Sequence, residues 1–355
     1  MQARFVFKDP KEPTGSILIV SFFVLILITM FTLTVGYAMR QRFQVLSRLD
    51  ARQKLRLVGE AGVQKAIYVL LKSRARPLSF DGLNQGWSRN EAVFKEVDVG
   101  DGFFSVFYDP EISTGQQLNP GEGRQYGLID EDRKININLI KSPEVVVRLF
   151  TEAASLSKDD AQGLVDSIRD WEDEDDDTFT YGAERRYYKD LSPGYLPRNG
   201  KVTTLAEIQW VKGFKPEIYQ RIRPYVTLEG SGQVNLNTAS RIVLEALGFL
   251  PSLCDRIMAY RAGRDGIEGT EDDQVFDDLS TVVQLLANGS YLNDNERANF
   301  ESVARAGMLT VKSHVFSAQV IARLKYKTQS LRVVVIFDEK GVIRRWEESF
   351  GVSLS

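Results

Sequence analysis

The chain has 355 residues, 43% of them hydrophobic, and 45 Lys or Arg against 48 Asp or Glu give a formal net charge of -3. That balance excludes a globally basic nucleic-acid binder, and a single cysteine, Cys254, excludes an internal disulfide. The sole histidine, His314, lies in a strand-like run with no G-x-S-x-G in the chain, which leaves no Ser-His-Asp hydrolase signature.

The first 14 residues are polar and carry Arg4, Lys8 and Lys11. Gly15 ends them, and residues 16–38 then hold no charge until Arg40 and Arg42. About 23 apolar residues at about 1.5 Å each can cross a bilayer core of about 30 Å. The run is longer than the apolar core of a cleavable secretory signal, about 7–15 residues, and no A-x-A-like site follows it. Met39, Phe43, Leu46 and Leu49 recur at helical spacing beyond it, as do Val63, Ile67 and Leu70. No proline interrupts residues 16–72, so one helix of about 57 residues, about 85 Å long, is expected. Gly36, Gly59 and Gly62 are its weak points, each costing about 1 kcal/mol against Ala.

The part beyond the helix, about 280 residues, is long enough for two domains at about 100–200 residues each. Residues 77–90 and 109–124 read as loops, 92–99 and 102–108 as strands joined by Gly100-Asp101-Gly102, and 126–130 as a third strand. Residues 141–308 are helical and polar in pattern, with Cys254 a packed side chain in one helix. Strands at 315–326, 331–337 and 342–348 follow. Strands, then helices, then strands predict an α+β fold in which a helical domain is inserted into an antiparallel sheet.

The helical part echoes itself. Ile135-Asn136-Ile137-Asn138-Leu139 returns as Val234-Asn235-Leu236-Asn237-Thr238, each copy ahead of a helix, at 143–154 and 239–247, where Asn or Thr would cap the free N–H groups. Second helices at 159–171 and 252–262, acidic loops, and further pairs at 204–211 with 216–222 and 279–286 with 293–305 complete two helix-hairpin-helix-like units. The second copy, Gly232 through Ser240, resembles the start of the helix-hairpin-helix modules of competence DNA receptors. Such modules bind phosphate through backbone N–H groups beside basic residues. Here the hairpin at 247–251 has one glycine and no Lys or Arg before Arg256. Lys212-Gly213-Phe214-Lys215 is the nearest match to a phosphate hairpin, and the surrounding loops are acidic. A structural pair of modules is the favoured reading, with nucleic acid argued against as a partner.

Residues 170–177 read Asp-Trp-Glu-Asp-Glu-Asp-Asp-Asp, with Glu184 shortly after. Alternation puts Asp173, Asp175 and Asp177 on one side of an irregular loop, a set of oxygens suited to calcium. The EF-hand pattern is not met, because its turn glycine is missing. A solvated run is the ordinary reading of such a block, but Trp171, Phe179, Tyr181, Tyr187 and Tyr188 interleave with the acids and imply packing. The loop at 264–273 has the same composition at the equivalent place, with Asp265, Asp272 and Asp273 as a second, weaker candidate site. Its Gly266 and Gly269 allow tight turns.

The leader, the glycine and the uncharged helix resemble a type IV pilin or a type II secretion pseudopilin. By that resemblance a membrane prepilin peptidase cuts between Gly15 and Ser16. The fifth mature position, usually Glu, is Val20, a departure found in the large minor subunit, protein K, and suited to a subunit with none above it. Asp166-Ser167-Ile168-Arg169-Asp170-Trp171, Gly182-Ala183-Glu184 with Tyr187-Tyr188, Leu205-x-Glu207-Ile208 through Pro224-Tyr225-Val226-Thr227, and Ser313-His314-Val315-Phe316 are also similar to that family. The resemblance implies a leader at 1–15, a transmembrane helix at 16–38 continuing at 39–72, a pilin-like α/β domain from 73–140 and 309–355, and an inserted α-domain at 141–308. It implies a non-enzymatic subunit at the tip of a secretion pseudopilus, working with minor pseudopilins I and J and the inner-membrane secretion platform. It also implies calcium at Asp173, Asp175 and Glu184. The excess of Arg and Lys after the span would by itself put the following domain in the cytoplasm; the resemblance puts it in the periplasm, anchored in the inner membrane by a single pass. A membrane-anchored DNA-binding protein of a DNA-uptake system is the alternative.

Overall fold

The computed structural model of the protein describes residues 14–74, 79–108, 124–139, 142–289 and 292–352. Residues 1–13 of the expected leader at 1–15 and all but one residue of the expected loop at 109–124 lie outside them. Helix α1 (Thr14–Ser73) runs unbroken, matching the expected length. Two units are distinguished, residues 1–54 and 55–355.

The first unit is the apolar part of α1. It is long and apolar enough to cross a membrane, and its side chains are exposed, Leu18 at 75% and Phe31 at 69%. Several of its hydroxyls are satisfied within the helix. The Ser21 hydroxyl donates to the carbonyl of Ile17 at 2.8 Å, Thr32 to Ile28 at 2.8 Å, and Thr34 to Met30 at 2.7 Å. This back-bonding satisfies these three hydroxyls without water.

The second unit starts with the rest of α1, which lays Leu55, Val58, Val63, Ala66 and Leu70 into a core. α2 (Glu91–Phe94) follows, then β1 (Val97–Asp98), β2 (Gly102–Tyr108), β3 (Gln125–Tyr126), β4 (Ile129–Asp130) and β5 (Ile135–Asn136). Next come α3 (Pro143–Ala154), α4 (Lys158–Glu172), α5 (Arg185–Lys189), α6 (Pro216–Ile222), β6 (Val226–Thr227) and β7 (Val234–Asn235). α7 (Arg241–Leu247), α8 (Pro251–Arg261), α9 (Val282–Gly289), α10 (Asp294–Arg305) and β8 (Leu309–Thr310) lead to the long strands β9 (Val315–Leu324), β10 (Gln329–Asp338) and β11 (Ile343–Val352).

The sheet is antiparallel, in the order β1-β2-β9-β10-β11, with β3 added on β2 and β4 on β9. Its inward positions, among them Val320, Ala322, Leu331, Val333 and Val335, are buried. Gly59 and Gly62 prove to pack closely against this sheet. A Cβ on Gly62 would sit 2.5 Å from Val320 Cγ1, and one on Gly59 3.1 Å from Val333 Cγ2. The missing side chains set the packing distance, so these glycines are contact points rather than weak points.

The expected strand at 92–99 is corrected. Residues Glu91–Phe94 form a helical turn, with Phe94 fully buried and its N–H donating to the carbonyl of Asn90 at 3.1 Å. Glu96 has φ 47°, so extended pairing is confined to Val97 and Asp98. The expected strand at 126–130 splits at Gly127, where a Cβ would fall 1.4 Å from the Ser88 carbonyl oxygen. That close crossing permits only glycine and separates β3 from β4.

Residues 135–310 leave the sheet and hold the remaining helices around one core that includes Leu149, Phe150, Ile168, Leu244, Leu253 and Ile257. Proline opens α3, α6 and α8, where its missing N–H costs nothing. Asn293 and Glu296 form a capping box on α10. The repeated Asn-x-Asn motifs do not cap helices. β5 pairs in parallel with β6, and β7 with β8. Asn136 Oδ1 accepts the N–H of Asn138, and Asn235 Oδ1 that of Asn237. The second amide of each motif then crosses to a distant carbonyl, Asn138 to Val202 and Asn237 to Phe276, both at 2.8 Å. Each copy is thus a latch between the start and the end of its unit.

Candidate metal centre

Helix α4 is started by Ser157, whose Oγ accepts the N–H of Asp160 at 3.1 Å. Its spacing buries Leu164, Ile168 and Trp171 on one side and Asp166 and Asp170 on another. These two carboxylates pin the acidic loop as it returns. Asp170 Oδ1 accepts the N–H of Phe179 at 3.0 Å, and Asp166 Oδ2 that of Tyr181 at 3.3 Å. Gly182 passes directly against Asp170, and Glu184, at the N-cap position of α5, closes the circle.

The result is a group of three carboxylates, Asp170, Asp173 and Glu184, with one oxygen of each within 4.8 Å of the others. Asp170 and Glu184 are buried. Asp170 Oδ2, Asp173 Oδ1 and both oxygens of Glu184 are buried without a hydrogen-bond donor among the described residues. Burial, with the neighbouring Asp170 and Asp173, pushes the Glu184 carboxyl up to about 7. Burial raises Asp170 as well, and burial with Asp175 and Asp170 raises Asp173. Buried carboxylates without partners are costly, and a cation among them removes both the repulsion and the desolvation penalty. An all-oxygen set, without His or Cys, fits a hard divalent ion such as calcium, with further oxygens completing its shell.

Of the sequence candidates, Asp173 and Glu184 come together here. Asp175 and Asp177 are exposed and outside the group, and Asp175 Oδ1 accepts the N–H of Asp177 at 2.8 Å. That side-chain turn breaks the alternation that would have placed them beside Asp173. Asp170 was missed by the sequence reading because it lies on the buried face of α4. Its signal was a carboxylate at a core position of an amphipathic helix, beside Trp171.

The second acidic loop is organised differently. Asp272 Oδ2 accepts the N–H groups of Arg264 and Asp265, Asp273 those of Gly269 and Thr270, and Asp265 that of Ile267. A cation is already built in: buried Arg261 pairs with Glu268 at 2.7 Å and donates to the carbonyls of Ala239 at 2.6 Å and Leu236 at 3.3 Å. Asp265, Asp272 and Asp273 therefore spend their oxygens on the loop's own backbone.

The remaining sequence candidates are placed as follows. The Lys212 ammonium donates to the carbonyls of Tyr181 and Gly182, so the hairpin lysine ties down the acidic loop. Cys254 is buried, and burial pushes its thiol up to about 12. His314 donates its backbone N–H to Asp132 at 2.6 Å. Gly15, Ser16 and Val20 all lie within α1.

Residues 134–230, which include this centre, match the family model described as type II secretion system protein K. The chain is 32% identical to the type II secretion system protein K of Aeromonas hydrophila over 161 residues, 44% of this chain and 46% of that one. With the protein K of Klebsiella pneumoniae it shares 38% over 139 residues, 35% and 42% of the two chains. With that of Pseudomonas aeruginosa it shares 27% over 195 residues, 54% of each. The chain spans about half the length of the curated relatives it matches. A chain of the GspK-GspI-GspJ complex from enterotoxigenic Escherichia coli has the same fold, with a TM-score of 0.63 over 87% of this chain and all of that one, at 16% identity. Domain match, relatives and fold agree: the protein to which this chain is similar is type II secretion system protein K.

Proposed function

We propose that this protein is a minor pseudopilin of a type II secretion system, a structural rather than catalytic subunit. The prepilin peptidase removes its leader after Gly15. Residues 16–38 hold it in the inner membrane, next to the secretion platform, with residues beyond α1 in the periplasm. It assembles with minor pseudopilins I and J to start or cap the fibre. The observation that carries this reading is the match to the protein K model at 134–230, set between strands of an antiparallel sheet in a chain whose α1 carries an uncharged apolar run. Residues 141–308 act as an inserted α-domain of two helix-hairpin-helix-like units, the latched pairs β5–β6 and β7–β8 marking their limits. Val20, in place of the usual acid, suits a subunit with no neighbour above it.

In this reading calcium is held by Asp170, Asp173 and Glu184. Bound there, it ties the end of α4 to the start of α5 and fixes the loop between them. The four donor-less oxygens are the support for that assignment.

The test is co-purification. The detergent-solubilised chain should bring down the I and J subunits of its own secretion system and should leave behind an unrelated pilin. Failure to recover either I or J would sink the reading.

A further inference from the structure

Beside the carboxylate centre lies a surface that neither the sheet nor α1 accounts for. Tyr187 is 41% exposed, Leu191 37%, Leu196 55% and Trp210 59%. Tyr187 and Trp210 sit on a fixed aromatic floor. Trp171 and Tyr188 are buried with ring centroids 5.1 Å apart; Tyr188 lies 5.2 Å from Tyr187 and 5.4 Å from Tyr195; Tyr195 lies 5.5 Å from Trp210. The Tyr195 hydroxyl donates to the Trp210 carbonyl at 2.8 Å, and its N–H donates to the Tyr188 carbonyl at 3.1 Å, folding the chain after α5 back onto the ladder. A rigid, exposed group of large apolar side chains on an otherwise polar surface marks a contact site. Preordered Trp and Tyr are the side chains that anchor such contacts.

Charge identifies the occupant. Residues 185–215 hold seven Lys or Arg against two acids, Asp190 and Glu207, in a chain whose net charge is -3. Glu207 is already engaged, by Trp171, Thr203 and Arg198. Arg186, Lys189 and Lys215 are exposed and make no ion pair among the described residues, and the Lys212 ammonium lies 5.3 Å from the Tyr187 ring. The shape fits a peptide. Tyr187 stands at 88° to Tyr188, and Trp210 at 84° to Tyr195, which gives a ridged surface for side chains rather than a flat platform for a sugar ring.

We propose that Tyr187, Leu191, Leu196 and Trp210 form a docking surface for an acidic polypeptide segment with apolar anchor residues, separate from the helix and sheet that build the fibre. Apolar side chains of the segment would pack between Tyr187 and Trp210, and its carboxylates would meet Lys189 and Lys215. The role goes beyond assembly with sister subunits: it gives the tip a means to hold a passenger or another component.

The test uses the full chain in detergent with calcium present. The probe is a fluorescein-labelled peptide of about twelve residues alternating Glu with Leu and Phe, read by anisotropy against the same peptide with Lys for Glu. The acidic peptide should bind and the basic one should not. Leu196→Ser with Trp210→Ser should weaken binding about tenfold. Lys189→Glu with Lys215→Glu should weaken it too, and should flatten its dependence on salt. Equal binding of both peptides, or unchanged binding by both variants, overturns the proposal. Displacement of the peptide by chitotetraose overturns it in favour of a glycan.

Discussion

A Cβ on Gly182 would lie 1.8 Å from Oδ2 of Asp170, so these two residues, twelve apart in sequence, are in direct register across the acidic loop. Any side chain at 182 pushes the Asp170 carboxylate out of its group with Asp173 and Glu184. Calcium should raise the unfolding midpoint of the natural chain through binding linkage. Gly182→Ala should abolish most of that rise, as should Asp170→Asn. Asp175→Asn and Asp177→Asn should keep it. Thermal unfolding with calcium and with chelator decides, and identical midpoints for the natural chain would remove the ion.

The Glu184 carboxyl, pushed up to about 7 by burial and its acidic neighbours, gives the centre a pH signature. Between its ordinary value of 4.5 and about 7, the ion-free folded protein keeps a proton that the unfolded chain has lost. Stability of the ion-free form therefore falls as pH rises through that window. Calcium must displace the proton, so its affinity should climb with pH and level off above about 7. Calorimetric titration at a series of pH values, in buffers of different ionisation heat, reads the released proton. A pH-independent affinity with no proton release would count against Glu184 as a ligand.

Arg261 predicts an opposite response in the other acidic loop. Arg261→Met leaves Glu268 and two carbonyls without their donor, a loss of about 3–5 kcal/mol when a buried pair is broken. The midpoint should drop by the same amount with calcium and with chelator. Rescue of that variant by calcium would show that an ion can replace the guanidinium there.

Gly62→Ala should destabilise the second unit. The added methyl meets Val320 and Phe104 and overpacks the contact by about 1–3 kcal/mol, more than the gain of about 1 kcal/mol in helix propensity. Gly36→Ala, with open space around it, should leave the unfolding of that unit unchanged. Denaturant unfolding of the two variants checks the difference.

Processing should leave Ser16 as the first residue, and Gly15→Leu should block the cut. N-terminal sequencing of protein from cells with an active prepilin peptidase reads it directly. Beyond the span, Phe43→Asp with Leu46→Asp should reduce recovery of partner pseudopilins while the midpoint of the second unit stays unchanged.

The long helix and the terminal strands were legible because their signals are periodic and local: an uncharged run at 16–38, and alternation along 315–348. The strand at 92–99 misled because its apolar residues also suit one helical turn, and only the burial of Phe94 and the backbone at Glu96 separate the two. Asn138 and Asn237 were visible as part of a repeat, but their roles depend on Val202 and Phe276, whose arrival no local pattern announces. The carboxylate centre was half legible. Acid density found Asp173 and Glu184, while Asp170 looked like part of a helix and Asp175 like part of an extended run.

The place where the chain leaves the sheet bears on how it can fold. Asp130 in β4 and Phe316 in β9 are direct partners across the ladder, although residues 131–315 lie between them. Departure and return share one doorway. The entropic toll of joining such distant ends rises only with the logarithm of the separation, about 0.6 kcal/mol per doubling, and folding of the detour first would shorten the effective separation almost to nothing. β4 can then meet β9 as if the two were ends of a tight turn. The detour can grow, shrink or change its surface over evolutionary time, and the ladder beneath it need not be rewritten.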